Sequence, residues 1–171
     1  VTLEQLTRSA NHFTGTGIMV HAYLMYGFPT ETTQETVDSL EVVRQLFELG
    51  YIHSGFWHRF AMTAHSPVGL CPERFGTRVT EPPFGGFARN DVAFEDLQGG
   101  DHDELGGGLS RSLYNYMRGV GFDLPLQKWF DCKIPATTIP PRFVAHMAEE
   151  QEPVEKLHSR RLCWLGGRVE L

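Results

Sequence analysis

GIMVHAYLMYGFPTET, residues 17–32, decides how the rest of the chain is read. Residues 18–26 form a near-continuous apolar run, the pattern of a strand covered on both faces in a parallel α/β sheet. The turn GFPTET (27–32) follows. Thr32 with Glu35 makes a capping box, and Val37, Leu40, Val43 and Phe47 recur at helical spacing, so a helix with one buried face is expected to about residue 49. Gly50 stands where a helix-terminating glycine belongs. Residues 51–62 are again β-rich, with Phe56, His58, Phe60 and Met62 alternating onto one face. Strand, helix, strand gives one βαβ unit, of the kind that builds a right-handed crossover.

Working outward, 171 residues allow one domain, or one with an appendage. With 41% apolar and 21% charged residues the composition is globular, not disordered. A net charge of −6, with Arg160-Arg161 only a pair, argues against a nucleic-acid partner, because phosphate binding needs clustered Lys and Arg. No apolar run reaches the roughly 20 residues of a membrane span and no signal peptide opens the sequence, so no membrane partner and a cytoplasmic location are expected. Cys71, Cys132 and Cys163 are widely spaced and odd in number, which suits buried thiols better than disulfides or a zinc ribbon.

Residues 2–13 read as a helix, with Thr2 and Gln5 as a capping box and Leu3, Leu6, Ala10 and Phe13 on one face. A series that starts on a helix leaves its first strand unpaired upstream, so a piece of a larger α/β domain is expected. From residue 63 the texture changes to Gly, Pro and acidic residues with isolated aromatics (Phe75, Phe84, Phe87, Phe94) that would pin irregular loops to a surface. Little regular structure is expected to residue 108, and GGDHDELGGG (99–108) looks the most flexible. Helices are expected over 109–120, shortly after Pro125, and over 141–150 with Pro141 at or near the first position. Residues 160–171 read as a hairpin turning on Gly166-Gly167. The division is therefore 1–62, an α/β part, and 63–171, an extension of loops, short helices and a hairpin.

The chemistry gathers where the first strand ends and the helix begins, since ligands of α/β folds bind at that edge, near free helix N–H groups. Gly27 permits close backbone approach and Glu31 offers an acceptor, although the same residues also make an ordinary capped turn. His58, Arg59 and His65 would reach the same edge from the second strand. A His53, His58, His65 metal site matches no common zinc spacing. Ser66-Pro67 lacks the context of a nucleophile elbow. Asp101, His102, Asp103 and Glu104 are a candidate cation cluster or simply a wet acidic loop.

GIMVHAYLMYGFPTET, the helix after it, and FWHRFAMTAHSPVGLCPERFG (56–76) together resemble the C-terminal part of radical S-adenosylmethionine proteins, of the Fe–S oxidoreductase group often fused to a cobalamin-binding domain. PLQKWFDCKIPATTIPPRF (125–143) and WLGG (164–167) are similar to that group too. Thr30 stands where its GFPGET pattern has glycine. The resemblance implies the final βα units of a partial TIM-like barrel, with a mostly helical and irregular C-terminal extension over its mouth. It also implies a [4Fe–4S] cluster, held by a CxxxCxxC loop after the first strand, that binds and reductively cleaves S-adenosylmethionine to a 5′-deoxyadenosyl radical. Cys71, Cys132 and Cys163 do not map onto that loop, which is expected in an upstream part of the same chain, possible cobalamin domain included; the fragment alone is expected to be inactive. Gly27, Phe28, Pro29 and Glu31 are then expected at the adenosyl side, His58 and Arg59 beside the cofactor, and His65 facing an unknown small-molecule substrate. Glu31 lies one residue later than the glutamate of the family's GxIxGxxE pattern. The alternatives are a non-catalytic module binding a small molecule or anion at the helix N-terminus after Thr32, and a protein-interaction module using aromatics 75–94.

Overall fold

The computed structural model describes residues 2–81, 90–97, 99 and 102–149. Helix α1 (Leu3–Gly15) opens on the expected capping box, with Thr2 and Gln5 satisfying each other's backbone N–H groups. Strand β1 (His21–Tyr26), helix α2 (Thr33–Glu48) and strand β2 (Ser54–Arg59) form the βαβ unit. The strands pair in parallel, His21 opposite Ser54 and Tyr26 opposite Arg59. Both are shorter than the apolar runs. At their amino ends the Val20 N–H turns to the His53 Nδ1 ring nitrogen at 3.1 Å, so a side chain takes over where a ladder bond would continue. Gly50 has the left-handed φ of +70° that ends α2.

Helix α2 is the centre of the packing. Val37, Leu40, Val43, Leu46 and Phe47 are buried together with Leu105, Leu109, Leu113 and Tyr116 of α4 (His102–Tyr116), and with Trp129, Phe130, Ile134 and Val144. One hydrophobic core thus crosses the change of texture at residue 63. Ala22, Leu24, Tyr26 and Trp57, on one face of the β1–β2 ribbon, pack on this core. The other face is bare: Tyr23 is 77% exposed, Met25 54% and Phe56 38%. The expectation of a strand covered on both faces is therefore corrected. Burial alternates along β1 because the described helices pack on one side only. The stripe expected on α1 is also shifted, for Thr7 and Ala10 are buried while Leu6 and Phe13 remain exposed.

Beyond residue 63 the chain is more regular than expected. Helix α3 (Pro67–Leu70), a 3-10 helix (Pro72–Phe75) and an antiparallel pair, β3 (Thr77–Val79) with β4 (Phe94–Asp96), precede α4. The largest correction is at 99–108. Most of the presumed flexible loop is the first half of α4, which starts at His102, not Leu109. Two of its glycines serve close packing: a Cβ at Gly106 would stand 2.5 Å from Tyr26 Oη, and one at Gly108 would overlap the Phe130 ring. A second 3-10 helix (Leu126–Trp129) follows Pro125 as expected. Helix α5 (Phe143–Glu149) begins two positions after Pro141, because Arg142 has a left-handed φ of +63° that breaks the helical path. Phe84, Phe87, Cys163 and the hairpin at 160–171 lie outside the described residues. The described part is a mixed α/β fold of five α-helices and two small sheets, and its sheets do not close into a barrel. No described helix is long and apolar enough to cross a membrane.

The segment at 136–144 is tied to α2 by buried or half-buried polar groups. Gln45 donates to Pro140 O and accepts from the Val144 N–H, both at 3.0 Å. Asp38 accepts from the Thr137 and Thr138 hydroxyls, the Thr138 N–H and Gln34 Nε2. Burial alone would raise the Asp38 pKa, but these donors outweigh it and hold the carboxyl below its ordinary value. A carboxyl depressed in the folded state stabilises the fold above its unfolded pKa, and that contribution is lost as pH falls through the folded value. In denaturant titrations, stability should accordingly decline below about pH 4, and Asp38→Asn should lower stability at neutral pH while flattening the acid limb. An unchanged acid limb in the variant would contradict this role.

Candidate functional site

The carboxyl ends of β1 and β2 lie side by side, the Phe60 N–H continuing the ladder to Tyr26 O at 2.8 Å. Gly27 leaves β1 with a left-handed φ of +73°. Glu31 then closes the turn on itself: one carboxylate oxygen accepts from the Phe28 N–H at 3.0 Å, the other from the Thr36 hydroxyl at 2.7 Å. Thr32 and Glu35 complete the expected capping box. The Thr32 N–H and hydroxyl hold the Glu35 carboxyl below its ordinary pKa. Glu31 is thus an organiser of the turn, with both oxygens engaged, and Pro29 is buried beneath it. Thr30 has a φ of +76°, the left-handed conformation that a β-branched residue adopts at a cost.

Adjacent strand residues point to opposite faces, and this separates His58 from Arg59. His58 lies on the bare face, 6.1 Å from the Phe56 ring. Arg59 pairs with Asp103 of α4 on the other side. The bare face carries a run of rings: Phe56 meets Tyr23 at 4.5 Å and His21 at 6.2 Å, and the His21 Nδ1 lies 2.7 Å from Ser54 Oγ. His65 is exposed in the turn before α3. Neighbouring Ser66 donates to Thr63 O and accepts from the Gly69 N–H, so its hydroxyl serves as a helix cap. Phe28 contacts Phe60 at 5.0 Å and Phe75 at 6.1 Å, and Phe60 contacts Phe94 at 5.8 Å. These rings fasten the region after residue 63 onto the GFPTET turn, as the isolated aromatics suggested.

His102, which the sequence offered only as a member of a candidate cation cluster or wet loop, takes a different place at the start of α4. Its side chain occupies the space over Gly27, where a Cβ would stand 3.3 Å from His102 Cβ and Cγ. The close approach that Gly27 permits is used by His102. The ring is 5% exposed, and neither nitrogen has a hydrogen-bond partner among the described residues. Leu105, Leu109 and Leu113, spaced by four, were the signal that the helix runs back this far.

No three His, Cys, Asp or Glu side chains converge as a metal site among the described residues, and Asp101 of the acidic cluster lies outside them. His53 accepts the Val20 N–H. Cys71 and Cys132 are free thiols, and the described residues do not fit the three-thiolate cradle of an iron–sulfur cluster. No family model, curated protein or solved structure matches the chain.

Relieving the left-handed threonine tests the turn. Thr30→Gly should raise unfolding free energy by about 1 kcal/mol, whereas Glu31→Ala, which strands the Phe28 N–H and Thr36 hydroxyl, should lower it by about 1–2 kcal/mol. Urea unfolding of both variants checks the pair; a destabilised Thr30→Gly would contradict the turn geometry.

Proposed function

We propose that this chain forms the closing side of a radical S-adenosylmethionine barrel, with the bare face of β1–β2 as part of the inner wall and GFPTET at its mouth. The observation that carries the proposal is the one-sided ribbon. In a doubly wound α/β sheet, helices cover both faces; here α2 and α4 cover one face, while His21, Tyr23, Met25, Phe56 and His58 stand on the other. A barrel has that arrangement, helices outside and side chains pointing inward, with active-site groups at the carboxyl ends of the strands. An apolar groove of 580 Å3 along the free side of β1, lined by Leu6, Ala10, Phe13, Ala22, Leu24 and Ile52 among others, leaves room for a further element. The resemblance of residues 17–76 to that family supports the same reading.

S-adenosylmethionine would supply a 5′-deoxyadenosyl radical for hydrogen abstraction once reduced at a cluster held elsewhere in the polypeptide. This chain's part is to bind and shield: the Tyr23 and Phe56 rings offer a water-excluding wall, Glu31 fixes the Phe28 backbone, and Phe28 and Phe60 close the mouth. The anion-binding alternative is weakened by the α2 N-terminus, where Glu31, Thr32 and Glu35 already occupy hydrogen-bond donors and add negative charge. The interaction-module alternative loses part of its patch, since Phe75 and Phe94 pack against Phe28 and Phe60.

Anaerobic reconstitution of the gene's full polypeptide with iron and sulfide, followed by S-adenosylmethionine and dithionite, tests the proposal. Expected are a brown cluster and 5′-deoxyadenosine detected by mass spectrometry, with neither from residues 1–171 alone. An upstream sequence without CxxxCxxC, or a cluster assembled by residues 1–171 alone, would overturn it.

A further inference from the structure

Where α2 ends and the chain turns into β2, at the amino end of the sheet, a cleft of 520 Å3 lies between α1, the end of α2 and α5. That size is within the roughly 300–1,000 Å3 of small-molecule sites. Leu49, Tyr51, Ala145 and Ala148 give it an apolar and aromatic lining. Ala145 and Ala148 stand three apart on α5, so they share a face and leave width that larger side chains would take. Arg142 and Glu149 border the same cleft at the two ends of that stretch, and they pair with each other at 3.0 Å. Arg142 holds this place from a left-handed backbone with φ +63°, a conformation that a residue with a side chain adopts at a cost. Strained residues of this kind gather at ligand sites.

The charges select the ligand chemistry. Arg142 and Glu149 are both exposed, and an exposed ion pair is worth little, so a ligand carrying matching charges can exchange it at small cost. His146 Nδ1 lies 3.7 Å from the other Glu149 oxygen. Glu48 brings a second carboxylate to the cleft at the end of α2, where the helix dipole also favours a cation, and Arg44 engages one of its oxygens at 3.0 Å. A simple anion on Arg142 would face two carboxylates, and a simple cation at Glu149 would face the guanidinium. A zwitterion satisfies both, its carboxylate on the Arg142 fork and its ammonium at Glu149 and Glu48. In an α-amino acid the two charges flank one carbon, side by side like the Arg142–Glu149 pair they would replace. We propose that this cleft is a binding site for a free α-amino acid whose apolar side chain lies against Leu49, Tyr51, Ala145 and Ala148. The site is at the opposite end of the strands from GFPTET and does not depend on the barrel reading.

The test is calorimetry on the gene's full polypeptide, with L-alanine, L-valine, L-leucine, L-isoleucine and L-phenylalanine titrated in turn. At least one should bind with a Kd of about 1 mM or tighter. For the tightest of them, the analogues lacking the ammonium or the carboxylate (4-methylpentanoate and 3-methylbutylamine in the case of leucine) should each bind about tenfold more weakly, the loss of one charged contact. Two variants then locate the site. Arg142→Gly suits the left-handed backbone and should fold as wild type does, yet bind about tenfold more weakly. Ala145→Leu, which narrows the cleft without touching a charge, should weaken binding by a similar factor. Absence of binding by all five amino acids overturns the proposal. So does an amine or a carboxylate that binds as tightly as the amino acid, which would mark a plain cation or anion site. Wild-type affinity in Arg142→Gly overturns it as well, and this variant decides alone if Ala145→Leu does not fold.

Discussion

The burial of α2 is the constraint on which the described structure depends. Val37 and Leu40 are fully buried and Val43, Leu46 and Phe47 nearly so, which no amphipathic surface helix achieves with a single neighbour. The sheet covers one side, α4 another, and α5 with the segment from Ile134 covers a third. Even its polar residues are used internally. Glu41 is buried against Arg44 and Gln45, and Gln45 passes the network on to Pro140 and Val144. Because α2 must be enclosed, the residues after 63 wrap back over the βαβ unit, and the first turn of α4 arrives at the carboxyl edge of β1.

That arrival builds the site. Gly27 turns left-handed and leaves a gap; His102 fills it. Glu31 spends both oxygens holding the turn in shape, so the side chain that looks most like a ligand contact is scaffolding, and the exposed chemistry lies on the bare face with His21, Tyr23, Phe56 and His58. Tyr116 shows how thoroughly the opposite side is sealed: burial raises its hydroxyl pKa to about 12, although the Trp129 N–H donates to its oxygen at 3.0 Å. One side of the ribbon is a dry core and the other an open aromatic wall.

Local signals in the sequence were legible where one mechanism dominates. Both capping boxes, the glycine after α2, the parallel βαβ unit and the helical turn after Pro125 follow from short-range hydrogen bonding and periodicity. The failures share a cause. Gly106 and Gly108 have poor helix propensity, yet close packing against Tyr26 and Phe130 outweighs it. Apolar content in β1 does not reveal which face is covered, since His21 and Tyr23 are as compatible with a binding wall as with a core. His102 was hidden by its acidic neighbours, and only the position of α4 relative to Gly27 shows that its side chain fills the gap there.

The most direct test of the bare ribbon face as the adenosyl-binding wall is photo-crosslinking of the full polypeptide with an 8-azido analogue of S-adenosylmethionine, the labelled peptides being mapped by mass spectrometry. Label concentrated on Tyr23, Met25, Phe56 or His58, and suppressed by unmodified S-adenosylmethionine, is the predicted result. Competed label on the opposite side instead, in the cleft lined by Asn11, Glu48 and Arg142, would contradict the account.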